Sequence, residues 1–347
     1  MTTKSTNSGT AKRISSVPLD DILATVRRLI PSVHPEPHGF SFRGRLGTTH
    51  LHVQPVDHRT KDDSRITDVV TITTDLTDFP IPSETPEVNL AALNMNAVMS
   101  ALMLVRRGKT AVLSSRLSAF EGDDEAWNLY TPMLAFAAVF QSEVFVQTVR
   151  RADPSWEEDD DTEVLPESNA ASPWDAGDFD LAQDFLDRIG VLANGDATGL
   201  TAEFPWDPGA TSQIERFFGR DPGGRTSLLR VTTTERHPAL GNGLLCRLVL
   251  PVSYPTDHLL ARAACRLNLL EAVAIDAPPF LGAWTVDPAS KSPTFVTFHP
   301  NLMYRPGVVA NITTWMMARS ERAKRWTEVD TGLGALAREA AEPLILG

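Results

Sequence analysis

The pattern of apolar and polar residues after the first 16 positions predicts a helix followed by three strands. From Pro18 to Ile30, apolar residues recur at intervals of three and four, which places them on one face of a helix. Three segments then alternate between apolar and polar residues or are rich in β-branched ones, as half-buried strands are. These predicted strands are 40–44, 49–54 and 68–74.

The remainder of the first half predicts a central helix, a hairpin and a final helix. Residues 86–105 are apolar on most sides at helical spacing, which is typical of a helix packed within a core. Residues 110–115 and 126–130 are typical of two strands joined by the turn at 121–124. The pair Thr131–Pro132 then predicts the N-cap and first turn of the final helix.

The second half shows the same order of predicted elements. Asp178 predicts the N-cap of a helix that Gly190 closes. Three strands, a helix, a two-stranded hairpin and a last helix follow. Their predicted ranges are 200–204, 227–232, 244–250, 256–272, 282–286 and 294–298, with the last helix including Val308 and Met316. We therefore expect an α+β protein with two tandem α-β-β-β-α-β-β-α domains, each an antiparallel sheet with helices packed on it.

Two short matches support a duplication at the level of residues. Leu93–Asn94 in the first central helix parallels Leu267–Asn268 in the second. Tyr130–Leu134 parallels Phe298–Leu302, because each is predicted to join the last strand to the last helix. The shared order of elements carries more weight than either match.

An acidic stretch separates the two halves. Trp156–Glu163 carries six carboxylates in eight residues, so it repels itself and buries little apolar surface. It is therefore predicted to be a solvated linker. The expected division of the chain is a disordered N-terminus at 1–16, a first domain at 17–151, the linker at 152–177, a second domain at 178–327 and a tail at 328–347.

Composition and charge exclude several classes of partner. The net charge of −12 over 347 residues repels phosphate backbones and anionic lipid, so we expect neither nucleic-acid nor membrane binding. No run approaches the roughly 20 apolar residues that span a bilayer, and the polar first residues lack the apolar core of a secretion signal. The two cysteines, Cys246 and Cys265, are expected to be reduced and buried. A cytoplasmic protein is predicted.

The order of elements, the acidic balance and the size resemble the fold shared by type III secretion chaperones and YbjN-like proteins. More specifically, the chain looks like the actinobacterial TY-Chap proteins, which carry such domains in tandem. The resemblance covers residues 17–151 and 178–327. It implies a chaperone-like domain in each half and a protein that holds a partner rather than performing chemistry. Secretion chaperones of this group are acidic homodimers, so the covalent fusion of two units implies that the halves pair within one chain.

His50-Leu51-His52 is the sharpest chemical signal in the sequence. Residues two apart on a strand face the same way, so both imidazoles could bind one zinc ion. The exposed face of a half-buried strand gives the same pattern, because Leu51 and Val53 would point inward. We therefore predict no catalytic residue, no metal ligand and no cofactor. His299, beside Pro300, could serve as an acid or base but has no serine or cysteine nucleophile near it in the sequence, and Cys265 is expected to pack in a core.

The function expected from the sequence is a non-enzymatic, chaperone-like protein that holds or escorts a client protein. A metal-dependent hydrolase using His50 and His52 is one alternative, and a regulatory or assembly adaptor is another. The chain is expected to be a monomer whose halves form an intramolecular pseudo-dimer, because a short linker keeps their effective concentration high. The client would be an extended segment laid along a sheet edge or an apolar groove.

Overall fold

The computed structural model describes residues 17–44, 46–56, 65–76, 86–105, 110–122, 124–152, 170–206, 225–254, 256–287 and 289–328. Within these ranges the chain forms six α-helices and two antiparallel six-stranded sheets, with helices packed on the sheets. The expected α+β class is confirmed. The predicted disordered N-terminus, most of the acidic linker and the tail lie outside the described residues.

The first half contains three helices and six strands, in the order α-β-β-β-β-α-β-β-α. Its helices are α1 (Leu19–Leu29), α2 (Pro86–Asn94) and α3 (Trp127–Ala152). Its strands are β1 (His34–Glu36), β2 (Gly39–Arg43), β3 (Thr48–Pro55), β4 (Ile66–Leu76), β5 (Ala101–Val105) and β6 (Thr110–Phe120).

The second half repeats this order. Its helices are α4 (Ala176–Arg188), α5 (Asp257–Val273) and α6 (Val308–Glu328). Its strands are β7 (Leu192–Asp196), β8 (Gly199–Pro205), β9 (Thr226–Thr232), β10 (Gly243–Val249), β11 (Ala283–Asp287) and β12 (Ser292–Pro300). The strands lie side by side in the order β1-β2-β3-β4-β6-β5 in one sheet and β7-β8-β9-β10-β12-β11 in the other. The two halves therefore share one topology.

Each half has four strands before its central helix, whereas the sequence predicted three. The additional strands are β1 and β7, of three and five residues, which form the outer edge of each sheet. They pair with β2 and β8 across tight turns. Strands this short are hard to detect from alternation, and Pro35 and Gly195 further weaken the strand pattern.

The segment 86–105 is a helix only in its first part, so the predicted long central helix is wrong. Helix α2 ends at Asn94, and β5 begins seven residues later and pairs with β6. The predicted hairpin with 126–130 is also wrong, because residues 127–130 belong to α3 and β6 lies between β4 and β5 in the sheet. The first three residues of β5 are buried regardless of the face they occupy. A strand covered on both faces gives a continuous apolar run that cannot be distinguished from a buried helix by periodicity.

Two helices begin earlier than predicted. Helix α3 starts at Trp127, so Thr131–Pro132 lies inside it rather than at its N-cap. Helix α4 is capped by Asp175, whose side chain accepts from the Gly177 backbone N–H. Asp178 occupies the N3 position and completes a capping box with Asp175. Each prediction thus placed the N-cap about one helical turn beyond the residue at which the helix begins.

The core is continuous across both halves. One row of cross-strand partners runs across the whole second sheet on its helix-covered face, and every member is buried. This row consists of Ala193, Ala202, Leu229, Leu248, Phe295 and Trp284. In the first sheet the helix-covered face is marked by Thr74, which accepts a 2.6 Å hydrogen bond from Gln141 of α3.

Helix α3 is the central buried element of the first half. Among the described helices, only its stretch Trp127–Val149 has the length and apolar composition of a membrane span, and 67% of that stretch is buried. The core helix of a soluble protein meets the same criteria. It packs against α1 and against β3, β4 and β6, which explains the burial.

Candidate functional site

The clearest duplicated feature is an asparagine at the edge of each sheet. The Asn94 side chain accepts from the Leu102 backbone N–H at 2.8 Å and donates to the Leu102 carbonyl at 3.1 Å. The Asn268 side chain makes the same pair of bonds to Trp284, at 2.7 Å and 2.9 Å. Leu102 and Trp284 are each the second residue of an edge strand, β5 or β11. Each amide thus supplies the two hydrogen bonds that a neighbouring strand would make.

These bonds identify Asn94 and Asn268 as equivalent residues, as the Leu93–Asn94 and Leu267–Asn268 match predicted. The second predicted match is wrong. Tyr130–Leu134 lies inside α3, whereas Phe298 and Pro300 belong to β12 and are followed by a 3₁₀ turn, Asn301–Met303. The two segments share residue types at positions that the fold does not relate.

The two halves contact each other through their central helices. Helix α2 packs against α5 and β11. The Thr285 hydroxyl donates to the Ala91 carbonyl at 2.5 Å, and the Cys265 thiol lies 3.6 Å from the Glu87 carbonyl. Cys265 packs against the apolar cluster of the first half but is only partly buried, whereas the sequence predicted a buried thiol; its burial raises the pKa of the thiol. The backbone carbonyl of Asn96, which follows α2, lies 3.0 Å from Nε2 of His237 in the second half.

Arg116 of β6 is the strongest link between the halves. It is 1% exposed, and its guanidinium reaches four backbone carbonyls of the second half and one hydroxyl of its own strand. These acceptors are Glu271, Ile275, Ala277 and Pro278, together with the hydroxyl of Ser118. Its backbone also exchanges two hydrogen bonds with Phe280, at 3.0 Å and 2.7 Å. Burial lowers the pKa of Arg116 to about 10.

A buried ion pair supports this contact from within the second half. Arg319 of α6 donates to both carboxylate oxygens of Glu271, at 2.7 Å and 2.9 Å, and both side chains are 1% exposed. The Trp284 indole N–H also donates to Glu271 at 2.8 Å. The Arg319 guanidinium lies 3.7 Å from the centre of the Phe295 ring. Burying two charges costs free energy because they lose their hydration, and hydrogen bonds to the pair offset this cost.

Sequence reasoning did not find Arg116, Glu271 or Arg319. The one available signal was an arginine within the apolar and hydroxyl-rich segment Ser114–Ser118 of a strand. Charged residues are almost never fully buried without partners, so an arginine at the centre of a strand indicates a partner from another element. The sequence does not tell which element supplies it.

His299, the residue considered as an acid or base, lies in the core of the second half. It is 1% exposed, and burial lowers its pKa to about 4. Its closest polar contact is the Thr297 hydroxyl, 3.5 Å from Nε2. A neutral imidazole enclosed in this way packs against its neighbours and has no route to a substrate.

No protein-family model, no curated protein and no solved structure matches the chain. The resemblance to tandem YbjN-like and secretion-chaperone-like proteins therefore stays a prediction from the sequence.

His50 and His52 lie on the face of the first sheet opposite the helices, here termed the open face. They alternate along β3 with buried Leu51 and Val53, as the sequence predicted. His50 Nδ1 lies 3.5 Å from Glu36 Oε1, and the His52 ring contacts the His38 ring edge-on. In the present rotamers, no three His, Cys, Asp or Glu side chains of the described chain converge closely enough to hold a metal ion.

Two concave surfaces among the described residues lie between the first and last helices of a half. One, of about 410 Å³, lies between α1 and the start of α3, and the other, of about 260 Å³, lies between α4 and α6. Arg305 of the second half also lines the first groove, so only the second groove is formed within one half. The second groove is lined by Leu181, Phe185 and Ala310, with the polar residues Asp184, Arg188, Asn311 and Thr314.

The sheet edges offer little room for an added strand. The edges of β5 and β11 are occupied by Asn94 and Asn268 and lie where the halves meet. Strand β1 has three residues and includes Pro35. At β7, the Gly195 N–H already donates to the Gln183 side chain at 2.8 Å. Short strands, proline and side-chain caps are common means of preventing edge-to-edge pairing.

Proposed function

We propose that this chain is a non-enzymatic, chaperone-like protein that holds an extended or partly unfolded segment of a client protein. The observation that carries the proposal is the groove that recurs between the first and last helices of each half. The duplication supplies two such grooves on one chain. Two weak sites on one chain bind a long segment more tightly than either alone, because the second contact is intramolecular.

The α4–α6 groove has the composition expected of a peptide-binding surface. Leu181 is 53% exposed at its rim, and Phe185 is only partly covered. Asp184 and Arg188 flank these apolar residues and can pair with polar groups of a bound segment. Apolar anchors within a polar rim are typical of protein-binding sites.

The capped sheet edges favour a groove over strand addition. A client strand that paired with β5 or β11 would have to displace Asn94 or Asn268 from bonds of 2.7–3.1 Å. We therefore assign the client to the helix grooves. A cytoplasmic location accompanies this proposal, supported by two free cysteines, of which Cys246 is fully buried.

Aggregation of reduced insulin, followed by light scattering, tests the proposal. The wild-type chain at equimolar concentration is expected to delay aggregation. Leu181→Glu and Phe185→Glu are expected to lose at least half of this delay. An apolar segment bound in the groove would have to remove water from the new carboxylate, which weakens binding. Leu302→Glu is the matched control, since Leu302 is 63% exposed and does not line the groove.

Two results would contradict the proposal. In the first, the wild-type chain does not delay aggregation at any tested ratio. In the second, all three variants retain the wild-type delay. An adaptor for folded partners differs in one respect: it would bind a native protein and leave the aggregation of reduced insulin unchanged.

A further inference from the structure

The open face of the first sheet brings together side chains that are far apart in the sequence. In the strand register, Glu36 lies opposite Gly39, which lies opposite His52. In the next row on the same face, His34 lies opposite Ser41, which lies opposite His50. His38 occupies the turn between β1 and β2. Four of the eight histidines of the chain therefore share one end of this face with Glu36.

The Glu36–His50 pair already has the spacing of two ligands of one metal ion. Glu36 Oε1 and His50 Nδ1 are 3.5 Å apart. Donor atoms bound to one tetrahedral zinc at about 2.0–2.1 Å lie about 3.3 Å from each other. The two side chains are 37% and 41% exposed, so an ion can reach the space between them from solvent.

The His38–His52 pair lies beside the first pair. The centres of the two rings are 6.2 Å apart, whereas two imidazoles on one tetrahedral ion have centres about 5 Å apart. Both side chains are exposed, and exposed rotamers interconvert rapidly, so a movement of about 1 Å is readily made.

Gly39 keeps the space between Glu36 and His52 clear. A Cβ at this position would lie 1.8 Å from the Leu51 carbonyl oxygen, so the register admits only glycine. No side chain at position 39 therefore stands between Glu36 and His52.

We propose that Glu36, His38, His50 and His52 form a binding site for a divalent ion of the zinc class on the open face of the first sheet. Three imidazoles and one carboxylate match the ligands that Zn²⁺ takes in proteins, and imidazole selects Zn²⁺, Ni²⁺ and Cu²⁺ over Mg²⁺ and Ca²⁺. Four protein donors complete a tetrahedral shell, which is the arrangement of structural rather than catalytic zinc sites. The bound ion would tie the β1–β2 hairpin to β3. The site does not depend on client binding.

Calorimetric titration of the full chain with ZnCl2 at pH 7.5 tests the site. We expect one zinc ion per chain. Glu36→Gln and His50→Ala are each expected to weaken the apparent Kd at least about tenfold, because metal sites lose 10-fold to 100-fold in affinity even when outer-shell partners are removed. His258→Ala is the control, since His258 is exposed on α5, outside the cluster, and its variant should bind as the wild type does.

Two further readings make the test decisive. Zinc should raise the melting temperature of the wild type, and a chelator should reverse the rise; neither effect should occur in the Glu36→Gln, His50→Ala double variant. Bound Co²⁺ should show the intense visible absorption of tetrahedral coordination. The proposal is overturned if the wild type shows no saturable zinc binding, or if the double variant binds zinc as tightly as the wild type.

Discussion

At the scale of single residues, Asn94 and Asn268 show how a side chain can close the edge of a sheet. Each is buried and satisfies both the N–H and the C=O of one edge residue. A buried backbone group without a partner costs about 1–3 kcal/mol. The same solution in both halves indicates that the closed edge belongs to the duplicated unit itself.

Replacing either asparagine is therefore expected to be costly. Asn94→Ala and Asn268→Ala should each lower the free energy of unfolding by about 2–4 kcal/mol, because two buried backbone groups lose their partners. Urea denaturation followed by circular dichroism measures the change. Asn242→Ala is the control, because Asn242 makes an exposed hydrogen bond to the Ala170 carbonyl, and it should cost less than about 1 kcal/mol. Equal losses in all three variants would show that the bonds to the edge strands contribute no more to the free energy of unfolding than an exposed hydrogen bond does.

His299 predicts a dependence of stability on pH. Its pKa of about 4 in the folded protein lies below the ordinary value of 6.5, so the unfolded chain binds the proton more readily. The free energy of unfolding is thus unaffected by His299 above pH 6.5 and falls as the pH drops from 6.5 to 4. The total loss is about 3 kcal/mol at 1.36 kcal/mol per pH unit.

The variant His299→Phe removes this effect. Denaturation curves at pH 7 and pH 4.5 should show a smaller loss of stability for the variant than for the wild type. The comparison uses the difference between the two pH values, so any cost of repacking the larger ring cancels. Parallel losses in the two proteins would mean that His299 does not titrate with folding.

At the scale of elements, the segment between α5 and β11 of the second half depends on β6 of the first. Arg116 supplies five hydrogen bonds, four of them to backbone carbonyls of residues 271–278. The short bridge between Arg116 and Phe280 adds two more. The first half thus supplies most of the side-chain hydrogen bonds to residues 274–278, and Ser118 adds one to the Ile275 carbonyl.

Arg116→Met should therefore destabilise the whole chain by about 3 kcal/mol or more, because several buried carbonyls lose their donors. Arg116→Lys should not restore stability, since an ammonium has three donors in place of a fork of five. Thermal denaturation measures both variants. Arg230→Met is the control, because the Arg230 side chain is 55% exposed in a surface ion pair, and its cost should stay below about 1 kcal/mol. Full rescue by lysine would contradict the role given to the guanidinium.

At the scale of the whole molecule, the halves share one core and complete each other. One large cluster contains buried residues of both halves, a smaller cluster lies in the first half, and α2 packs against α5 and β11. The second half contacts the first sheet at Arg116 of β6, which bonds to the Pro278 carbonyl. The first half contacts the second sheet at Thr285 of β11, which bonds to the Ala91 carbonyl of α2. This arrangement supports the proposal of a monomer whose halves pair internally.

The chain is expected to sediment as a monomer of 37.9 kDa and to unfold in one cooperative transition. A protease site introduced between residues 153 and 169 gives a sharper test. After cleavage, the two fragments should remain together in size-exclusion chromatography, because the contacts between them do not require the linker. Separation of the fragments, or a dimer of the uncut chain at micromolar concentration, would contradict internal pairing.

The sequence by itself determined the α+β class, the duplication and most of the elements, but it did not reveal β1, β5 or β7. It also determined that His50 and His52 face away from Leu51 and Val53. These properties follow from local patterns: the spacing of apolar residues selects helix or strand, and alternation along a strand selects its face. The match between Leu93–Asn94 and Leu267–Asn268 was visible because both asparagines lie on the central helix of their half and make the same pair of hydrogen bonds.

Only the tertiary structure decided which residues from distant segments meet. Strand β5 could not be separated from α2 by pattern, because its burial comes from elements that the sequence does not place. The partners of Arg116 lie about 155–162 positions away, and the pairing of Glu36 and His38 with His50 and His52 depends on the register of three strands. Register and burial are set by the packing of the whole chain, which is why the contact between the halves and the candidate metal site emerge only from the fold.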